Sequence, residues 1–289
     1  MDERDIAEFF DGECRREQGT QHAGYLTGGW PTAIADNRLR GEHAWVERAL
    51  GRYLPTRQRC IDVGCGTGVW TEWLAGHFSE VEGIDLSGEM VERARVQLAE
   101  AGITNATTRQ HNVLTPLAAG SYDLAFLGGV LMYLGDDILG EAIANLRDSL
   151  TPGGVLLARE TTHRGKRRDR TEPRQPGLFS EPDEEQPPYY AIYRTVPELR
   201  GELEKHGLRV VKLRANRPYK YAQLTQTAIR YVNSALGGGL VRDHARAEQW
   251  AQRIHRWRHL SVVPYYMFMR ATRIPAWSME NHWFVCVRR

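Results

Sequence analysis

Two carboxylates bracket three alternating glycines in this chain. Residues 60 to 68 read Cys-Ile-Asp-Val-Gly-Cys-Gly-Thr-Gly, and seventeen residues past the last glycine Asp85 closes a second apolar run, Val81-Glu-Gly-Ile-Asp. Glycines accept positive φ and close backbone approach, so amides at the start of the following helical stretch, Val69-Trp-Thr-Glu-Trp-Leu-Ala, can face an anionic group. An acid at the end of the next strand is placed to accept hydrogen bonds from ribose hydroxyls. The pair argues for a nucleoside-bearing ligand at one edge of an open α/β sheet.

The dinucleotide fingerprint wants Gly-x-Gly-x-x-Gly. Here Gly64, Gly66 and Gly68 alternate, and Val69 stands where that fingerprint has its third glycine. Asp62 lies two residues ahead of the first glycine, where it would repel a pyrophosphate and attract a cation. An acid followed by Gly-x-Gly-x-Gly, with Asp85 after it, resembles the first motifs of the class I S-adenosylmethionine-dependent methyltransferases, bacterial small-molecule type.

That resemblance implies S-adenosylmethionine as cofactor and a role for each matching residue. The Gly64–Gly68 loop packs against the methionyl end, with Asp62 on its ammonium. Asp85 binds the ribose hydroxyls and Leu86 lies beside the adenine face. After the third strand the best match for an adenine-binding acid is Asn112, next to Val113; its amide carbonyl accepts with less charge assistance than a carboxylate. Gly128 and Gly129 follow the fourth strand, and Leu131-Met-Tyr-Leu matches a segment near the methyl donor, leaving Tyr133 open between acceptor contact and core packing. The family has no shared catalytic residue to carry over.

Catalytic candidates therefore come from position. Glu160 ends the fifth strand and His163 follows it. Glu160 suits an amine holder or base, or a salt-bridged cap; His163 suits a general base, or a solvated histidine beside arginines. Tyr190, Tyr193 and Arg194 belong to an aromatic cluster that either lines an acceptor pocket or packs a lid. Tyr25 and Trp30, among glycines ahead of the first strand, suit a closing lid over acceptor and cofactor or an anchor to the sheet.

These side chains need a scaffold, and the apolar pattern supplies one. Strands are predicted at Cys60–Val63, Val81–Asp85, Ala106–His111, Tyr122–Leu127, Val155–Glu160 and Leu208–Leu213, with a last one from His282. Helices are predicted at Arg38–Leu54, Val69–His77, Gly88–Ala101, Asp137–Leu150 and Val196–His206. Alternation of this kind gives an α/β, doubly wound, mostly parallel sheet. The resemblance implies seven strands in the order 3-2-1-4-5-7-6. Residues 1–57 are expected to form a helical lid and 58–289 the methyltransferase domain. Insertions are expected at about 163–192 and 217–280, the second helical between strands 6 and 7. Loops of such length usually cover sites.

The insertion at 217–280 carries Trp250, Ile254, Trp257 and Leu260 at helical spacing, most simply a core-facing stripe. His255 and His259 stand four apart without a third ligand, so no metal is expected. The run Val262-Val-Pro-Tyr-Tyr-Met-Phe-Met suits a hydrophobic pocket or a homodimer surface.

Composition narrows the rest. The chain has 289 residues, 42% hydrophobic and 26% charged, with a net charge of +2. That balance suits one elaborated globular domain and gives no bias toward nucleic acid or membrane. A basic cluster at 164–170 is followed by an acidic, proline-rich stretch, which argues against a nucleic-acid partner. Arg outnumbers Lys 34 to 4, a mark of a high-GC genome. No apolar-cored leader opens the sequence, so the expected compartment is cytoplasmic. Cys14, Cys60, Cys65 and Cys286 show no ligand spacing and read as reduced thiols. The function expected is methyl transfer to an oxygen or nitrogen of a small-molecule acceptor, in specialised or sugar metabolism. The alternatives are a protein or peptide N-methyltransferase, or a non-catalytic S-adenosylmethionine-binding regulatory protein.

Overall fold

The computed structural model describes residues 3–16, 31–172, 189–237, 245–256 and 279–288. Its centre is a seven-stranded sheet built from β1 (Arg59–Val63), β2 (Glu80–Asp85), β3 (Ala106–Gln110), β4 (Tyr122–Leu127), β5 (Leu150–His163), β8 (Leu208–Ala215) and β9 (Met279–Arg288). The spatial order is β3-β2-β1-β4-β5-β9-β8. Strands β1 to β5 pair in parallel, while β9 runs antiparallel to both β5 and β8. Counting the sheet's own strands in chain order, this is the expected 3-2-1-4-5-7-6.

The helices are α1 (Glu3–Arg16), α2 (Thr32–Tyr53), α3 (Val69–Ala75), α4 (Gly88–Glu100), α5 (Asp136–Ser149), α6 (Val196–Lys205) and α7 (Arg217–Ala235), with a further helix, α8, over 245–256. Local chemistry fixes several starts. Ser87 accepts the Met90 amide at 3.0 Å to open α4. Thr195 and Glu198 form a reciprocal capping box on α6.

Because strand side chains alternate, each strand feeds two cores. Ile61, Leu127, Leu156 and Phe284 pack on one face with Leu139, Ile143 and Leu203 of α5 and α6. Their neighbours Cys60, Phe126, Leu157 and Trp283 pack on the other, against Trp45, Leu50, Trp70 and Leu74 of α2 and α3. The helix α2 thus belongs to the layer covering the sheet. Of the expected 1–57 lid, α1 alone among the described elements lies over the functional cavity.

The connection after β5 is more ordered than an extended loop. It contains β6 (Arg168–Glu172) and β7 (Tyr189–Tyr193), paired antiparallel as a second, two-stranded sheet. The aromatic cluster Tyr-Tyr-Ala-Ile-Tyr is thus a strand, β7, with Ala191, Ile192 and Tyr193 buried. Within 217–280, α7 and α8 are helical, and Ile229 and Ala251 pack together with Ile34 of α2. Trp257, His259, Leu260 and the 262–269 run lie outside the described residues. Among the described residues no helix is long and apolar enough to cross a membrane.

Candidate functional site

A cavity of about 470 Å³ lies where β1, β2 and β4 end, with the glycine loop as part of its wall. The loop is tied to the next strand: the Gly64 and Cys65 amides both donate to the Ile84 carbonyl, at 2.8 and 3.0 Å. Gly64 has φ +69, and a Cβ there would fall 2.5 Å from Val130 Cγ2. Gly66, at φ +53, would carry a Cβ with nothing within 4 Å, so its bareness keeps space in the cavity. Gly68 is not on the cavity wall; a Cβ there would press on Ala94 of α4 at 3.1 Å.

Both carboxylates face this cavity. Asp85 Oδ2 accepts the Gly66 amide at 2.8 Å and Oδ1 accepts the Ser87 amide at 3.0 Å. Burial pushes its carboxyl up, and those amides oppose the shift. Asp62 accepts the Thr71 hydroxyl at 2.7 Å. Its burial raises it from 3.8 to about 7; the Thr71 bond lowers it and the Asp85 charge adds to the rise. The Arg159 guanidinium, on the same cavity wall, also pulls it down. On that wall Thr67 Oγ1 is buried with no hydrogen-bond partner among the described residues.

Leu86, Asn112 and Val113 line one end of the cavity. Asn112 Oδ1 accepts the Leu114 amide at 3.0 Å, which holds its carboxamide at the cavity edge. Another part of the wall is aromatic and apolar: Tyr133, Tyr190, and Ile6 and Phe10 of α1. Phe10 meets Tyr133 edge to face at 5.2 Å. Asp11 anchors α1 by accepting the Ser87 hydroxyl and the Glu89 amide, and Arg15 pairs with Glu89. The helix is thereby fastened to the start of α4, directly after Asp85.

Residues 60–154 match the family model described as a methyltransferase domain. That match takes in the glycine loop, Asp62, Asp85 and α5. Over 103 residues the chain is 37% identical to a trans-aconitate 2-methyltransferase of Pseudomonas aeruginosa, a match covering 35% of each chain. Over 153 residues it is 31% identical to an S-adenosyl-L-methionine-dependent Diels-Alderase of Talaromyces variabilis, covering 50% of each. The chain therefore spans roughly a third to a half of these curated relatives. A Haemonchus contortus phosphoethanolamine N-methyltransferase, solved with S-adenosylhomocysteine, shares the fold at TM-score 0.60 and 15% identity, over 96% of this chain and 60% of that one.

The cavity of the methyltransferase domain fits that cofactor by its own chemistry. It offers an orphaned hydroxyl at Thr67, a buried acid at Asp62 on the cavity wall, and a bare Gly66. The expected Asp62, Gly64, Gly66, Asp85, Leu86, Asn112, Val113 and Gly129 all line it, as do Tyr133 and Tyr190.

Besides Gly68, four expected residues lie off the cavity wall. Glu160 is not on the cavity wall: Oε1 accepts the Val130 and Leu131 amides at 3.0 and 3.1 Å, bracing the turn after β4. Burial raises its carboxyl to about 7, those amides pulling the other way. His163 sits off the cavity at the end of β5, where Nδ1 accepts the Gly165 and Lys166 amides. Arg194 donates to the Leu131 and Leu134 carbonyls and pairs with Asp136, holding the same turn from outside. The Tyr193 hydroxyl meets that of Tyr189 at 3.0 Å, behind the wall. Tyr25 and Trp30 lie outside the described residues.

Cavity residues that escaped the sequence reading include Thr67, Phe10 and Arg159. The Arg159 guanidinium donates to the Gly128 carbonyl at 2.6 Å and to Glu42 at 2.7 Å. Glu42, with no exposed surface, also accepts from Arg38 at 2.9 Å and from Asn216 at 2.6 Å. The available signal was a pair of adjacent charges, Arg159-Glu160, ending an apolar strand whose side chains alternate faces. One of the two had to point each way.

Proposed function

We propose that this chain transfers the methyl group of S-adenosylmethionine to an oxygen or nitrogen of a small-molecule acceptor, of the kind handled in specialised or sugar metabolism. The observation that carries this reading is the continuity of one cavity. The glycine loop and both carboxylates form part of its wall, and Phe10, Tyr133 and Tyr190 close another part.

The bound cofactor supplies a methyl group already activated on a sulfonium. The chain's own work is then to bind, orient and exclude water. Asp62 would hold the cofactor's ammonium and Asp85 its ribose hydroxyls, while Leu86, Asn112 and Val113 enclose the adenine. Gly129, at φ +99, lets the post-β4 backbone pass close to the ligand. Burial pushes the Tyr133 hydroxyl above its ordinary value. It stays protonated at neutral pH and would orient an acceptor by donating a hydrogen bond, not by removing a proton. The α1 helix, pinned at Asp11 and Arg15, supplies the side of the cavity that must open for exchange and serves as the lid.

The 31% relative is named for ring-forming chemistry, and the aromatic wall suits an apolar polyene as well as a methyl acceptor. Incubation with methyl-labelled S-adenosylmethionine and a panel of hydroxylated and amine-bearing metabolites separates the two. Label in an acceptor, with release of S-adenosylhomocysteine, supports methyl transfer. Cofactor binding without label transfer across the panel points to the cyclase-type use of the same cavity.

A further inference from the structure

Tyr133 reaches the cavity from a short turn gripped by two buried charges of opposite sign. Leu131–Tyr133 is a single 3₁₀ turn, a geometry with weak hydrogen bonds of its own. The Tyr133 amide donates to the Val130 carbonyl at 3.0 Å, and the Leu134 amide reaches the Leu131 carbonyl only at 3.4 Å. Glu160 of β5 takes the amides of Val130 and Leu131. Arg194, 3% exposed, donates to the Leu131 carbonyl at 3.0 Å and to the Leu134 carbonyl at 2.8 Å. The same guanidinium reaches Asp136, the first residue of α5, at 2.6 Å. Neither Glu160 nor Arg194 lines the cavity.

Arg194 directly follows β7, a strand that serves both sides of the aromatic wall. Its Tyr190 lines the cavity, while Ala191 and Tyr193 pack on Met132 of the turn with Tyr133 against them. The Arg194 carbonyl accepts the His163 amide at 3.0 Å, which moors the end of β7 to β5. Asp136 also pairs with Arg167, ahead of β6, so both chain ends of the β6–β7 hairpin are tied to the start of α5. The cofactor end is held by other bonds: Asp85 fastens Gly66, and the Gly64 and Cys65 amides bond the Ile84 carbonyl. A buried guanidinium carries a desolvation cost. This one is directed at the backbone that bears Tyr133.

Resting on the reading of the aromatic wall as the acceptor site, we infer that Arg194 is a positioning residue for the acceptor. It sets the Leu131–Leu134 turn, and through that turn the Tyr133 ring relative to Tyr190. The acceptor class that fits is a flat, ring-bearing molecule held among Phe10, Tyr133 and Tyr190 and oriented by the Tyr133 hydroxyl. A planar fork spanning two carbonyls and a carboxylate fixes such a turn, which the point charge of a lysine does less well.

The experiment is calorimetric titration of the full chain with S-adenosylhomocysteine, then of the S-adenosylhomocysteine-saturated chain with 2-naphthol, a flat hydroxylated ring. Wild type is expected to bind both. Arg194→Met should weaken 2-naphthol at least tenfold and S-adenosylhomocysteine less than twofold, with Arg194→Lys between it and wild type. Tyr133→Ala should weaken 2-naphthol by a similar tenfold. Because Arg194 acts through Tyr133, adding Arg194→Met to Tyr133→Ala should change 2-naphthol affinity less than twofold further. A merely structural arginine would weaken both ligands together, or add its full loss on the Tyr133→Ala background; either result overturns the assignment. So does unchanged 2-naphthol binding by Arg194→Met. If Arg194→Met does not fold, Arg194→Lys and Asp136→Asn, which loosens the tether from its exposed end, carry the same comparison. Wild type that binds S-adenosylhomocysteine but not 2-naphthol overturns the inference. Wild type that binds neither overturns the cofactor reading itself, a distinct failure.

Discussion

Asp85 holds Gly66: its Oδ2 accepts the amide of the middle glycine at 2.8 Å, so the two halves of the sequence motif are bonded to each other. The carboxylate that would receive the ribose hydroxyls also shapes the loop beside it. Removing it costs a ligand contact and a loop anchor together.

Asp85→Ala should therefore weaken S-adenosylhomocysteine binding by at least tenfold, about 1.4 kcal/mol or more. Asp85→Asn, which keeps one carbonyl acceptor, should lose less. Titration calorimetry on both variants, with circular dichroism to establish folding, checks the order. An unchanged affinity in folded Asp85→Ala would remove the ribose from this side chain.

Asp62 gives a pH signature with a defined sign. Its folded value, about 7, exceeds its ordinary 3.8, so the folded protein holds a proton the unfolded chain has released. The stability from this group is complete below about pH 4 and is lost as pH rises through about 7. Urea midpoints should fall more between pH 5 and pH 8 in wild type than in Asp62→Asn. An ammonium ligand favours the ionised acid, so S-adenosylhomocysteine affinity should rise from pH 6 to pH 8 with proton release. A flat profile in wild type would detach the ammonium from Asp62.

Removing Glu42 leaves two buried guanidiniums without their shared carboxylate. Glu42→Ala should lose about 3–5 kcal/mol of unfolding free energy. Denaturant titration measures it, and a loss below 1 kcal/mol, about the worth of an exposed ion pair, would show the cluster to be energetically idle.

Much of this was legible beforehand because regular elements follow short-range rules. Alternating and continuous apolar runs placed the strands, and the acid-glycine pattern located the ligand edge, since both depend on residues a few positions apart. Glu160 stood open between a base and a capping carboxylate, and it is the cap for a physical reason. Its neighbour Arg159 faces the cavity, and the alternation that sends one charge inward sends the other beneath the turn at Val130 and Leu131. Phe10 was out of reach because its contact with Tyr133 joins residues over a hundred positions apart. The β6–β7 pair was missed because β6, Arg-Asp-Arg-Thr-Glu, has almost no apolar residue to announce it.

The α1 helix is tied to the start of α4 through Asp11. Asp11→Ala should release it from Ser87 and Glu89 and speed S-adenosylhomocysteine dissociation several-fold, with melting temperature changed little. Stopped-flow displacement reads the rate. A large fall in melting temperature with unchanged dissociation would make α1 a structural brace.

Trp283 tests the packing behind the cavity wall. It is 1% exposed and packs on Trp45, Trp70 and Phe126. Trp283→Ala should cost about 3–5 kcal/mol through the cavity left behind. Guanidinium unfolding checks it, and a loss under 1 kcal/mol would contradict the packing.

The central claim is that the Gly64–Gly68 cavity takes S-adenosylmethionine. The most direct measurement is calorimetric titration of the purified chain with S-adenosylhomocysteine beside NAD. The account predicts saturable, micromolar binding of S-adenosylhomocysteine and none of NAD. Binding of NAD in its place, or heat from neither ligand, would contradict it.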